Sequence, residues 1–182
     1  MLRHPGGNPD KAALELPHYA LLPHEVFSTL AASAPELFRH LMGTPESLAR
    51  FWSDAASAAE EHESRSGQWL ARARAATAHV PLEKVFKKGI HGDDAGAHGH
   101  DKVLVVTWGS VAVDLPTMDS RLCFSMLRDA DAVSGVTREK LYKVLTWSFK
   151  ALATGLFPAE DEEGRGFGPG HHPTGPGWLR NP

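Results

Sequence analysis

Residues 85–113 read Val85-Phe86-Lys87-Lys88-Gly89-Ile90-His91-Gly92-Asp93-Asp94-Ala95-Gly96-Ala97-His98-Gly99-His100-Asp101-Lys102-Val103-Leu104-Val105-Val106-Thr107-Trp108-Gly109-Ser110-Val111-Ala112-Val113. Two strand-forming runs, Val85 to His91 and Val103 to Val113, flank a segment of Gly, Ala, His and Asp. The second run is apolar almost throughout, the pattern of a strand covered on both faces. Together they predict a hairpin, with His91–Asp101 as its connecting loop.

Downstream, Pro116 and Asp119 mark a turn. Ser120 to Leu127 then alternates, with Leu122, Phe124 and Met126 on one side and Arg121 and Ser125 on the other, which predicts a half-exposed third strand. Thr137 is placed to cap a long helix with the apolar stripe Leu141, Val144, Leu145, Ser148, Phe149 and Leu152. Gly155 stands where a C-terminal glycine belongs.

Upstream, the pattern is helical from Pro23. Val26, Phe27 and Leu30 share a face, and Ala34-Pro35 is a break and restart. Leu37, Phe38, Leu41 and Met42 form a second short helix ending at Gly43. Thr44-Pro45-Glu46 starts a third, since Thr44 can cap, Pro45 suits the first turn and Glu46 favours the positive dipole end. Its apolar residues Leu48, Phe51, Trp52, Ala55 and Ala59 keep helical spacing. A further helix is expected over about 68–78.

The resulting expectation is an α+β chain with N-terminal helices, a three-stranded antiparallel meander, a covering helix and a disordered C-terminal tail. Its divisions are an extended lead-in (1–22), a helical segment (23–80), the meander plus helix (81–157) and a tail (158–182). In that tail 11 of 25 residues are Gly or Pro, too few apolar groups to offset the entropy of ordering.

Composition excludes several function classes. The net charge is −3, and acidic and basic residues are balanced in both halves, with 9 and 7 in residues 1–80 and 13 and 12 in residues 81–182. A strongly basic nucleic-acid-binding half is therefore not expected. The single cysteine, Cys123, allows no internal disulfide and fits a reducing compartment. Pro5, Gly6, Gly7 and Pro9 interrupt any signal-like apolar run, and no stretch approaches a membrane span. The expectation is an intracellular protein with no membrane partner, nuclear or cytoplasmic being left open.

Chemistry concentrates in one place. His91, Asp93, Asp94, His98, His100 and Asp101 lie within eleven residues, spaced by Gly and Ala. His98 and His100 would point the same way in an extended stretch. With Asp93, Asp94 or Asp101 they could bind a divalent cation, imidazole favouring Zn or Mn and paired carboxylates favouring Mg. The alternative is a polar, solvated hairpin loop whose side chains cap backbone amides. Other motifs read as structural. Asp114 and Asp119 build turns. Ser110 lies in a strand without a nucleophile elbow, and Cys123 is a packed thiol. Lys84, Lys87 and Lys88 form a solvated basic face, and Trp52, Trp147 and Phe149 are packing residues.

Lys88-Gly89-Ile90-His91-Gly92-Asp93-Asp94-Ala95-Gly96, Val103–Trp108, Asp119-Ser120-Arg121-Leu122 and Leu141–Phe149 with Gly155-Leu156-Phe157-Pro158 resemble a set of uncharacterised, mobile-element-derived open reading frames abundant in dinoflagellate genomes. The resemblance covers about residues 80–170, half of the chain. The order of three strands and then a helix also resembles the start of the RNase H-like fold of DDE transposases, whose first-strand aspartate joins two later acids around two metal ions. The resemblance implies Asp93 or Asp94 as the first, catalytic carboxylate and nucleic acid as the partner. It implies, too, a truncated fragment without a complete catalytic set, hence no activity. The alternative function is a non-enzymatic metal- or partner-binding module using the His91–Asp101 loop.

Overall fold

The computed structural model describes residues 18–61, 66–96, 102–132 and 136–167. In chain order they form α1 (Pro23–Ser33), α2 (Pro35–Met42), α3 (Pro45–Glu61), α4 (Ser66–Ala76), β1 (Lys88–Gly96), β2 (Lys102–Ser110), α5 (Thr117–Ser120), β3 (Leu122–Arg128) and α6 (Val136–Thr154). The three strands make one antiparallel sheet in the order β1-β2-β3, so the α+β class stands. No described helix is long and apolar enough to cross a membrane.

The chain divides into two compact units, one of residues 1–35, 91–107 and 123–182 and the other of residues 36–90 and 108–122.

In the first unit, α1 packs on α6. Leu141, Leu145, Ser148 and Ala151 are buried along α6, a stripe at helical spacing. Burying each leucine contributes roughly 1.5–3 kcal/mol. The helix ends at Gly155, whose φ of 67° lets its N–H donate to the Ala151 carbonyl at 3.1 Å. On the sheet, Gly92 lies across from Val106, and a Cβ at Gly92 would stand 3.1 Å from the Tyr142 hydroxyl. Arg138, one turn earlier on α6, reaches Asp94 at 3.4 Å. These contacts make α6 the covering helix over the even-numbered face of β1.

The second unit is built on α3, which packs on α4 and on the 3-10 turn Leu82–Lys84. Trp52 stacks on Trp69 with centroids 5.7 Å apart, and its Nε1–H donates to the Val85 carbonyl at 3.0 Å. Met42 and Trp108 are fully buried. Gly43 ends α2 at φ 99°, where its N–H donates to the Arg39 carbonyl. Thr44 caps α3 as expected, its hydroxyl accepting the Ser47 N–H at 3.3 Å.

Four expectations shift. β1 begins at Lys88 and continues through Gly96, so His91–Gly96 is strand instead of loop. Backbone pairing with β2 extends it although its side chains are polar and exposed. β2 ends at Ser110, earlier than Val113. On β3, Phe124 and Leu127 are buried while Met126 is exposed, so both faces are partly covered. The reason lies in the lead-in: the Leu21 N–H donates to the Phe124 carbonyl at 2.8 Å, and His18 Nε2 lies 2.6 Å from Ser125 Oγ, which buries Ser125. Finally, residues 158–167 fold back. Asp161 accepts the N–H groups of Glu163 and Arg165, Lys143 pairs with Glu163, and Trp147 donates to the Glu160 carbonyl. The rest of the expected tail, 168–182, and residues 1–17 of the lead-in lie outside the described residues.

Candidate functional site

The His/Asp stretch is split by strand geometry. Successive side chains of a strand point to opposite faces, so His91 and Asp93 share one face and Asp94 takes the other. His91 Nε2 lies 3.9 Å from Asp93 Oδ2 at side-chain exposures of 52% and 77%. Asp94 instead faces α6, where Arg138 pairs with it. His98, His100 and Asp101 lie outside the described residues. Among the described residues, no three His, Cys, Asp or Glu side chains converge as a metal site would require.

A second locus has more enclosure. In the first unit, His18, Tyr19, Leu22, His24 and Glu25 from the lead-in and α1, Val144 and Trp147 from α6, and Phe157, Asp161, Glu162 and Phe167 beyond it line a cleft of about 430 Å³. That volume falls in the range of small-molecule sites. Its most constrained side chain is His24, which is buried. The imidazole sits edge-on to Trp147 and Phe157, with centroids 5.2 and 5.6 Å away.

Ser148 Oγ accepts the His24 backbone N–H at 3.2 Å and shares a second hydrogen bond with His24 Nδ1 at 2.8 Å. Burial pushes the His24 imidazole below its ordinary value, which favours the neutral ring. Ser148 itself is fully buried, so its hydroxyl positions the imidazole and is out of reach as a nucleophile.

Glu25, Asp161 and Glu162 line the cleft, and among the described residues neither Lys nor Arg does, although Arg165 pairs with Asp161 from outside the lining. Asp161 is held by the turn: the backbone N–H groups of Arg165 and Glu163 and the Arg165 Nε donate to it, and the Arg165 backbone N–H foremost keeps its carboxyl below the usual range. Burial pushes His18 down as well, so both histidines of the cleft favour the neutral form at physiological pH.

His24, Ser148, Phe157 and Phe167 carry no motif and were invisible as a site in the sequence. Trp147 was legible only as a packing residue. One signal was available: an acidic run at 160–163 just after an aromatic helix end.

No family model matches the chain, and neither a curated protein nor a solved structure does.

Proposed function

We propose that the chain is a non-catalytic binding module whose cleft takes a small organic cation, an amine or quaternary ammonium. One observation carries this reading: aromatic walls and three carboxylates line the same cleft, and among the described residues neither Lys nor Arg lines it. A cation over an aromatic face gains about 0.5–2 kcal/mol, more as it is desolvated. The carboxylates add long-range attraction, and the His24 imidazole offers a hydrogen-bonding group to a polar group on the ligand.

The test is a titration of the full chain with phenethylammonium, followed by calorimetry or NMR, beside the neutral analogue phenethyl alcohol. Saturable binding of the cation, at least a few-fold tighter than the alcohol, is expected. Glu25→Gln and Glu162→Gln should each weaken it by up to about fivefold, as exposed charge pairs do. Equal affinity for cation and alcohol, or no saturation, overturns the reading.

A second reading is descent from an RNase H-like mobile-element protein. It is favoured by the order β1-β2-β3 followed by a covering helix, and by Asp93 and Asp94 falling inside β1. With Asp94 paired to Arg138, this reading expects no magnesium-dependent nuclease activity from the chain. Asp93-dependent cleavage of a DNA duplex would refute the inactive form of it.

A further inference from the structure

The cleft of the first unit carries two sets of ionisable side chains, the carboxylates Glu25, Asp161 and Glu162 and the imidazoles His18 and His24. An imidazole is the side chain whose charge changes just below neutral pH. Each ring has one nitrogen beside a serine hydroxyl. His18 Nε2 lies 2.6 Å from Ser125 Oγ, and His24 Nδ1 lies 2.8 Å from Ser148 Oγ. A hydroxyl can donate to a neutral ring or accept from a charged one, so the same geometry serves both protonation states. The other charged and titratable groups around the rings are few. Tyr19 lines the cleft next to His18. From β3, Cys123 shares the face of Ser125, and burial pushes its thiol up, away from neutral pH. From α6 the lining is the uncharged pair Val144 and Trp147, while Lys143 pairs with Glu163. Arg165 pairs with Asp161. Protonating both rings would thus set two positive charges among the three carboxylates that attract a cation.

We propose that His18 and His24 place cation binding in this cleft under proton control: the organic cation is held while both rings are neutral and released as they gain protons. The proposal rests on the cation reading of the cleft and adds its regulation. Ligand and protons compete because each brings positive charge into the same volume. Linkage makes the competition mutual, so the bound cation must also lower the proton affinity of the rings. Burial holds both imidazoles below their ordinary value, which keeps the cleft receptive at neutral pH and sets the release in mild acid.

The probe is phenyltrimethylammonium, whose charge does not change with pH, titrated into the full chain by calorimetry between pH 5 and 8. Affinity should be level from pH 7 to 8 and fall by about three- to tenfold at pH 5. His18→Gln should remove part of that fall, and His18→Gln combined with His24→Gln most of it. A second measurement needs no variant: the His18 and His24 ring protons of the unaltered chain are titrated by NMR with and without saturating probe. By reciprocity the probe should lower at least one of the two ring pKa values by about half a pH unit or more. Binding as strong at pH 5 as at pH 8, or ring pKa values that the probe leaves in place, overturns the proton control and leaves the cation reading standing. An equal fall in the parent and the double variant assigns the effect to the carboxylates and overturns it too. Absence of saturable binding at pH 8 overturns the cation reading, and the proton control with it.

Discussion

Ser148 of α6 caps the start of α1 from 124 residues away, accepting the His24 backbone N–H at 3.2 Å while its hydroxyl faces His24 Nδ1 at 2.8 Å. The helix's own N-cap, Leu22, makes no side-chain cap hydrogen bond. The tertiary contact therefore satisfies a donor that a Ser or Asp at the cap would satisfy locally. Ser148→Ala strands both a buried N–H and the ring nitrogen Nδ1 and should cost about 1–3 kcal/mol in urea unfolding. A loss below about 0.5 kcal/mol would mean that the pair contributes little.

Acid should weaken the first unit through His24. Burial places its folded pKa below the unfolded value of about 6.5, although Glu25, Asp161 and Glu162 of the same cleft pull the other way. Between the two values the unfolded chain binds more protons. Stability is then complete above pH 6.5 and falls as pH drops through the folded pKa. Melting temperatures from pH 5 to 8 should decline more steeply for the unaltered chain than for His24→Gln. Parallel curves would contradict this.

Lys88 carries the opposite kind of burden, a cost already present at neutral pH. Its pKa falls from 10.5 unfolded to about 7 folded. The penalty is therefore absent above pH 10.5, grows as pH falls, and is complete below pH 7. Lys88→Met keeps the apolar stem and removes this penalty, so the variant should gain stability relative to the parent as pH falls from 10 to 7. A stability difference that does not change with pH would contradict the burial cost.

Thr44→Ala removes the hydroxyl that accepts the Ser47 N–H and that also holds the Glu46 carboxyl below its ordinary range. The expected loss is about 1 kcal/mol, read from the urea midpoint. Thr44→Ser should recover most of it, and an equal loss in both variants would argue against capping.

Gly109→Ala tests a backbone approach in β2. A methyl group there would press on the Ser120 carbonyl oxygen, closer than real side chains come. Because the obstacle is backbone, the strand or the α5 turn must move, at about 1–3 kcal/mol or more. A variant as stable as the parent would show that the α5 turn yields freely.

Most helices were legible because their signals are local. Pro23 and Pro45 at the first turns of α1 and α3, Thr44 before α3, and Gly43 and Gly155 at positive φ all act through neighbours within four residues. The second half of β1 was not legible. His91-Gly92-Asp93-Asp94 has neither apolar alternation nor β-branched residues, and its extended form comes from pairing with β2, whose apolar run carries the sheet. The same pairing decides the fate of the His/Asp stretch, since alternation sends Asp94 toward Arg138 and leaves His91 with Asp93.

By itself, then, the chain's order of residues determined the class of fold, the helix ends and the absence of a charge bias toward nucleic acid, all properties of short range or of composition. Tertiary structure alone decided that His24 meets Ser148, that Trp147 and Phe157 wall a cleft with three carboxylates, and that Lys88 is enclosed instead of solvated. Each of these joins residues far apart in sequence. The energies involved come from desolvation and from shared hydrogen bonds, and these exist only once the distant partners have displaced water.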